Sequence, residues 1–163
     1  MRVLVLADTH MRPDGSRTLP DEVWAAAESA DVILHAGDVL TAHLLDDLAT
    51  RAPVHAVLGN NDVSLVGTLP ETLTLELGGV AVAMVHDSGP TAGRAGRVHR
   101  RFPDAVIVVY GHSHMPADEL GVGGQRLFNP GSSTERRRAA HRTFGLLDLA
   151  DGAIVDHRIV AIV

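Results

Sequence analysis

Five short segments of this chain place potential metal ligands directly after apolar runs. They are Asp8-Thr9-His10, Gly37-Asp38, Gly59-Asn60-Asn61-Asp62, His86 and Gly111-His112-Ser113-His114. Carboxylate, amide and imidazole groups together form a ligand set for hard to borderline divalent metals. A carboxylate shared by two metals would hold them close enough to act on one phosphoryl group. The pattern therefore indicates one convergent metal site.

The spacing within each segment suggests how its side chains would meet. Asp8 and His10 are two residues apart, so on an extended backbone both point to the same side. His112 and His114 have the same spacing, and we expect the same geometry there. Asp38 follows a glycine that permits close approach of the backbone. Because a carboxylate has two oxygens, Asp38 is the natural bridge between two metals.

The apolar runs before these segments are predicted to be strands, and further strands follow. They are predicted at Val3–Ala7, Val32–His35, Val54–Leu58, Thr72–Leu77, Val80–Val85, Val106–Tyr110, Gln125–Phe128, Thr143–Leu149 and Ala153–Val160. Helices are predicted from Pro20 to about Ala30 and from Thr41 to about Arg51, with a weaker one at Thr91–Arg101. The first half reads strand, helix, strand, helix, strand, which indicates a parallel sheet whose function lies at the carboxyl ends of its strands. We expect one domain, residues 1–163, of two packed sheets flanked by helices.

Composition excludes several other chemistries. The 163 residues contain no cysteine and no lysine, and the formal net charge is −6. Disulfides, thiolate ligands and a lysine nucleophile are therefore excluded. The negative charge and the absence of a stacking row of aromatic residues disfavour nucleic acid as a partner. The apolar run near the N-terminus is too short for a signal peptide or a membrane span, so we expect a cytoplasmic protein with no membrane partner.

As a set, these motifs resemble the calcineurin-like metallophosphoesterases, and within them the small bacterial and archaeal phosphodiesterase branch. That branch is similar in sequence to the scaffold subunit of the eukaryotic retromer. The resemblance runs from Met1 to about Val160 and includes the Asn129-Pro130-Gly131-Ser132 segment. It implies an α/β fold, a four-layer α-β-β-α sandwich of two mixed sheets flanked by helices. Relatives often self-associate, so a homo-oligomer is also possible.

The same resemblance implies a binuclear metal site. The first metal would be bound by Asp8, His10, Asp38 and His114, and the second by Asp38, Asn60, His86 and His112. Mn²⁺ is the expected metal, with iron, zinc and nickel as alternatives. The implied reaction is in-line attack of a metal-bridging hydroxide on a small phosphoester, and we expect that ester to be a phosphodiester.

Asn61 and Asp62 are the predicted catalytic positions beside the metals. Many relatives carry a histidine in place of Asn61, and that histidine protonates the leaving group. An amide cannot do this, so we expect hydrolysis to favour good leaving groups such as aryl esters. Asp62 would orient a neighbouring group or the leaving group, or else be a turn residue that caps Val63 and Ser64.

Other positions are left open by the sequence. Asp87 replaces the glycine common in relatives, and either contacts a metal ligand or points to solvent. The basic stretch from Arg94 to Arg101 either holds a substrate phosphate or forms a solvated helix face. Two rival functions also remain: a catalytically idle scaffold for protein–protein interaction on the same fold, and a single structural metal. The presence of competent donors at all seven ligand positions favours the enzyme.

Overall fold

The computed structural model describes residues 1–163, which form two five-stranded sheets and three α-helices. The first sheet contains β1 (Arg2–Leu6), β2 (Val32–His35), β3 (Val54–Ala56), β9 (Arg142–Ala150) and β10 (Ala153–Ile162). Its strand order is β10-β9-β1-β2-β3. The pairs β1–β2 and β2–β3 are parallel, as the alternation of strands and helices predicted, whereas β9 is antiparallel to both β1 and β10.

The second sheet is built from the middle of the chain. It contains β4 (Thr72–Leu77), β5 (Val80–Val85), β6 (Ile107–Val109), β7 (Ala117–Leu120) and β8 (Arg126–Asn129). The order is β4-β5-β6-β8-β7, with β5–β6 and β6–β8 parallel and the edge strands antiparallel. Both sheets are therefore mixed.

Alternating side chains on the strands produce the layers, because successive residues of a strand point to opposite faces. Val3 and Val5 pack between the two sheets with Met84 and Phe128. Leu4 and Leu6 point the other way, onto α1 (Asp21–Glu28) and α2 (Ala42–Ala49). On the second sheet, Ala83, Val85 and Val108 pack against Val98 of α3 (Arg94–Arg101). The four-layer α-β-β-α sandwich is confirmed.

The predicted strands are all present, with ends that differ by at most two residues. One strand was missed: β7, whose Ala117–Leu120 segment has no buried residue and no apolar alternation. The predicted third helix starts only at Arg94, because Gly93 has a left-handed φ of 72°. Thr41 precedes α2 as predicted, but its side chain makes no capping hydrogen bond. None of the three helices has the length and apolar character that a membrane crossing requires.

Candidate metal centre

The five ligand-bearing segments meet where strands of the two sheets end. Asp8 and His10 follow β1, Asp38 follows β2, and Asn60 follows β3. In the second sheet, His86 follows β5, and His112 and His114 follow β6. The carboxyl ends of five parallel-paired strands thus supply every predicted ligand, as expected for sheets of this type.

The first predicted ligand set is closely packed and buried. His10 Nε2 lies 3.1 Å from His114 Nε2, and His114 Nε2 lies 3.7 Å from Asp8 Oδ1. Ligand atoms of these three residues all lie within 4.8 Å of one another. Asp8 and His114 are buried, with 0% and 1% of their surface exposed. This geometry suits one metal ion held away from bulk water.

The second predicted ligand set lies beside the first and is more open. Asn60 Oδ1 is 3.0 Å from His86 Nε2 and 2.9 Å from His112 Nδ1. His86 is buried, but Asn60 and His112 are exposed. The ligand atoms of Asp8, Asp38 and His86 also lie within 4.8 Å of one another.

Asp38 connects the two sets. Its Oδ2 atom is 3.5 Å from His10 Nε2 and 3.4 Å from His86 Nε2. One carboxylate oxygen thus lies next to a histidine of each set, which is the position that a bridging ligand requires.

The backbone at the ligands is not extended, and the geometry predicted for the two pairs is wrong in this respect. Asp8 and His10 have φ values of 54° and 43°, and His112 and His114 have 70° and 57°. Asp38 is left-handed too, with a φ of 57°. Such residues cost about 1–3 kcal/mol each and concentrate at functional sites, where the surrounding structure holds them. The members of each pair still converge, but through tight turns.

Gly59 allows two of these turns to touch. A Cβ at this position would lie 2.1 Å from the Asp38 backbone nitrogen and 2.2 Å from Asp38 Oδ1. Only a residue without a side chain permits this approach. The glycine before Asn60 is therefore required by the packing of the Asp38 loop.

Asn61 and Asp62 both act on the Asp38 loop. The Asn61 backbone N–H donates to Asp38 Oδ1 at 2.9 Å, and Asn61 Nδ2 donates to Asp38 Oδ2 at 2.7 Å. Asp62 is buried and accepts hydrogen bonds from the backbone N–H groups of Asp38, Leu40 and Gly59, at 2.9, 2.7 and 2.7 Å. The Asp62 side chain makes no capping bond to the short 3₁₀ helix at Val63–Leu65. Its contacts agree with the orienting role, and the turn-capping alternative is not observed.

Burial and neighbouring charges shift the pKa values of the ligands. Burial raises the pKa of Asp8 to about 7, although the nearby His86 opposes this. Burial also acts to raise the pKa of Asp38, but hydrogen bonds from His86 and Asn61 outweigh it and leave that pKa below its usual value. Burial, assisted by the charge of Arg137, lowers the pKa of His114 to about 4. A neutral His114 has the free lone pair that metal binding needs.

A bound cation fits this donor set. Asp8 Oδ2 is buried and has no hydrogen-bond partner in the protein. A buried carboxylate oxygen without a partner is destabilising unless a cation or a donor compensates it. Ligand atoms of Asp8 lie within 4.8 Å of those of His10 and His114, and also of those of Asp38 and His86. Carboxylate and imidazole groups are ligands that divalent transition metals accept.

The sequence analysis assigned no role to several residues that hold the ligand loops. Ser132 Oγ donates to the Asp8 carbonyl oxygen at 2.7 Å, and Thr134 Oγ1 donates to the Thr9 carbonyl oxygen at 2.8 Å. Asn129 Nδ2 donates to the Gly111 carbonyl oxygen at 3.0 Å. Glu135 lies next to His114 and was missed. The Asn-Pro-Gly-Ser segment was the only sequence feature that pointed to these residues. Its contacts with the loop after β1 could not be predicted, because they join residues more than 100 positions apart.

The remaining positions that the sequence left open have ordinary surroundings. Asp87 is exposed and its Oδ1 accepts the Gly89 backbone N–H at 2.7 Å, so it stabilises a turn beside His86. Arg97 and Arg94 bind carbonyl oxygens of the loop before their own helix. Arg101 is exposed and lines a groove together with Asn60 and His86.

His35 is buried behind the site, where its Nε2 lies 2.9 Å from Thr9 Oγ1.

Comparison with known proteins agrees with this geometry. The calcineurin-like phosphoesterase superfamily domain matches residues 1–152. The chain belongs to this superfamily. A "probable metallophosphoesterase" of Methanothermobacter thermautotrophicus is 32% identical over 141 residues, covering 84% of this chain and 80% of that protein. A similarly named protein of Methanocaldococcus jannaschii is 31% identical over 141 residues, covering 84% and 70%.

Among solved structures, the phosphoesterase fold of this chain is similar to wild-type Vps29 of Entamoeba histolytica in complex with Zn²⁺. The TM-score is 0.76 at 25% identity, and the match covers 99% of each chain. The superfamily assignment and the clustered ligands support a metal-dependent hydrolase.

Proposed function

We propose that this protein is a binuclear metal-dependent phosphodiesterase. The observation that carries the proposal is the position of Asp38 Oδ2, within 3.5 Å of a histidine from each ligand set. A single-metal structural site has no need for such a shared carboxylate, whereas two metals acting on one phosphoryl group require a common ligand.

Two divalent ions, Mn²⁺ in our proposal, would activate a water nucleophile and offset the negative charge that develops on the phosphoryl oxygens. The protein holds the ligands in place before substrate arrives. Asn61 fixes both oxygens of Asp38. Asp62 ties the Asp38 loop to the Gly59 loop. Such preorganisation reduces the reorganisation that the reaction would otherwise require.

Two grooves leave room for both substituents of a diester. One, of about 280 Å³, is lined by Asn60, His86, Asp87 and Arg101 among others. The other, of about 300 Å³, is lined by Ser113, Met115, Arg137 and Arg138. The first groove is lined by two residues of the second predicted ligand set, and the other by Ser113 and Met115, which flank His114 of the first set. Each groove contains arginine, which suits an anionic ester. A small phosphodiester would place one alcohol in each groove.

The test is the metal content per chain, measured together with hydrolysis of an aryl phosphodiester in the presence of Mn²⁺. We expect two metals and turnover. Asp38→Ala should abolish turnover and weaken the binding of both metals, because it removes the shared ligand. Asp46→Ala, which changes an exposed carboxylate on α2, is the matched control and should behave as wild type. Near-normal activity of Asp38→Ala would exclude the assignment.

A scaffold is the second candidate, and the likeness to Vps29 favours it. That protein was solved in complex with Zn²⁺, and Vps29 stands for vacuolar protein sorting 29, so zinc binding on this fold is compatible with a protein of the sorting machinery. Two metals without turnover on a panel of monoesters and diesters would support the scaffold. One metal without turnover would support a purely structural site.

A further inference from the structure

His114 presents its two ring nitrogens to different surroundings. Nε2 faces the predicted ligands, 3.1 Å from His10 Nε2 and 3.7 Å from Asp8 Oδ1. Nδ1 points away from them, is buried and has no hydrogen-bond partner. An imidazole that binds a metal through Nε2 must carry its proton on Nδ1. That proton needs an acceptor, because a buried donor without one is destabilising.

Glu135 supplies the nearest carboxylate. Its Oε2 lies 3.6 Å from His114 Nδ1, slightly beyond hydrogen-bond distance. A cation on Nε2 makes the Nδ1 proton a stronger donor, which would shorten this contact. The backbone carbonyl of the same residue also faces the His114 ring. Both acceptors therefore belong to Glu135.

The Glu135 side chain is held in this position by two arginines. Arg17 Nη1 donates to Glu135 Oε1 at 2.6 Å, and the same guanidinium donates to the His10 carbonyl oxygen at 3.2 Å. Arg137 Nε lies 3.4 Å from Oε2. Charged contacts of this kind restrict a side chain that is otherwise 27% exposed. The carboxylate is therefore connected to the His10 backbone through Arg17, and it faces His114 directly.

The Glu135 backbone is anchored as well. Its N–H donates to Ser132 Oγ at 3.0 Å, and that hydroxyl donates to the carbonyl oxygen of Asp8 at 2.7 Å. The residue is therefore fixed to the loop that carries two ligands. Movement of Glu135 relative to the site is restricted at both ends.

We infer that Glu135 is a positioning residue for the first metal, acting through the Nδ1–H group of His114 with Arg17 holding its carboxylate. Carboxylate–histidine–metal arrangements orient the ring and make its metal-binding nitrogen more basic. This inference rests on the metal site of the proposed function, but not on the identity of the substrate. It predicts that the charge of Glu135 contributes to the affinity of one metal and not of the other.

The test is metal titration of the metal-free protein by calorimetry, with three variants. Glu135→Ala removes the carboxylate acceptor and its charge but keeps the backbone carbonyl, and should weaken one of the two Mn²⁺ binding events about 10- to 100-fold. Glu135→Gln keeps an acceptor without charge and should give an intermediate affinity. The control is Glu119→Ala, which changes an exposed glutamate on β7 and should leave both affinities unchanged. The thermal midpoint of each variant in chelator shows whether folding has been impaired.

A second readout follows the His114 ring itself. In the metal-free wild type, ¹⁵N chemical shifts should report a proton on Nδ1, and Glu135→Ala should shift the ring toward the other tautomer. Unchanged Mn²⁺ affinities in Glu135→Ala would overturn the inference, since the backbone carbonyl would then suffice. Equal weakening of both binding events would also overturn it. A wild type that binds two metals but turns over no substrate would contradict the proposed function and leave this inference standing.

Discussion

Asn61 contacts both oxygens of Asp38, through its backbone N–H at 2.9 Å and its side-chain amide at 2.7 Å. The residue that occupies the acid position of many relatives therefore acts here as a clamp on the proposed bridging ligand. Holding a ligand in place and donating a proton are different functions, and Asn61 can perform only the first. The distinction leads to a test of leaving-group dependence.

Wild-type kcat/KM should fall steeply as the pKa of the leaving alcohol rises, because Asn61 supplies no proton. Asn61→His should flatten this dependence and improve alkyl esters relative to aryl esters, by about 100-fold if the new imidazole acts as a general acid. Absolute rates should decrease, since the bond from Nδ2 to Asp38 is lost. Asn61→Gln, an amide of greater length, is the control and should keep the steep slope. A flat wild-type dependence would show that another acid is present.

Asp62→Asn should destabilise the metal-free protein by about 1.5–3 kcal/mol, the range for hydrogen bonds to charged groups. The carboxylate accepts three backbone N–H groups, and an asparagine would turn its own NH₂ group toward one of them. Urea denaturation in chelator measures the change in the free energy of unfolding. Asp46→Asn, an exposed change on α2, should have almost no effect. Equal stability of the two variants would contradict the positioning role of Asp62.

Gly59→Ala should lower turnover by about 100-fold or more, because its Cβ would overlap the Asp38 backbone and displace the shared ligand. The control is Gly96→Ala in α3, where the new Cβ would meet only the end of the Arg100 side chain, at 3.4 Å. That change should be neutral or stabilising by up to about 1 kcal/mol. Normal activity in Gly59→Ala would show that the Asp38 loop can move without loss of function.

His35 should make the metal-free protein less stable in acid. Complete burial, assisted by the charge of His86, lowers the pKa of His35 from 6.5 to about 3. The unfolded chain binds a proton below about pH 6.5 and the folded chain does not, so the stabilisation is complete above that pH and decreases as the pH falls toward 3. The loss approaches about 1.4 kcal/mol per pH unit in the middle of this window.

This effect can be measured by urea denaturation at several pH values in chelator. Between pH 6 and pH 4, the free energy of unfolding should decrease less in His35→Gln than in wild type. The difference between the two slopes should correspond to close to one proton, or about 1.4 kcal/mol per pH unit. His43→Gln changes a histidine whose side chain is 83% exposed, and should leave the pH dependence as in wild type. If the free energy of unfolding had the same pH dependence in wild type and His35→Gln, the assignment of a buried neutral imidazole would be contradicted.

The sequence was sufficient to predict the layers and to place the candidate ligands at strand ends. Continuous apolar runs such as Val3–Ala7 predict strands buried on both faces, and β1 has that burial. Each ligand-bearing segment follows such a run, so its place at a strand end could be predicted without knowledge of tertiary contacts. β7 lacks this signal, since it is an edge strand with exposed charged residues and depends on pairing with β8.

The conformation of the ligands could not be predicted in the same way. Asp8 and His114 adopt left-handed backbones, which are uncommon for any residue that has a side chain. The residues that hold the Asp8 loop come from a distant part of the chain. The contact of Glu135 with His114 is of the same kind: 21 residues and two strands separate them. Residue spacing predicts which side chains are neighbours within one helix or strand. It does not predict these contacts, because they depend on how loops pack on one another.

The unequal exposure of the two ligand sets has a consequence for how purified protein should be handled. Asp8 and His114 are enclosed, whereas Asn60 and His112 face solvent. If the site binds two ions as proposed, the outer ion should exchange with the medium during dialysis while the inner one persists. Preparations would then contain one retained element and whichever cation the buffer last provided, so a mixed occupancy reflects the history of the sample and not the preference of the protein.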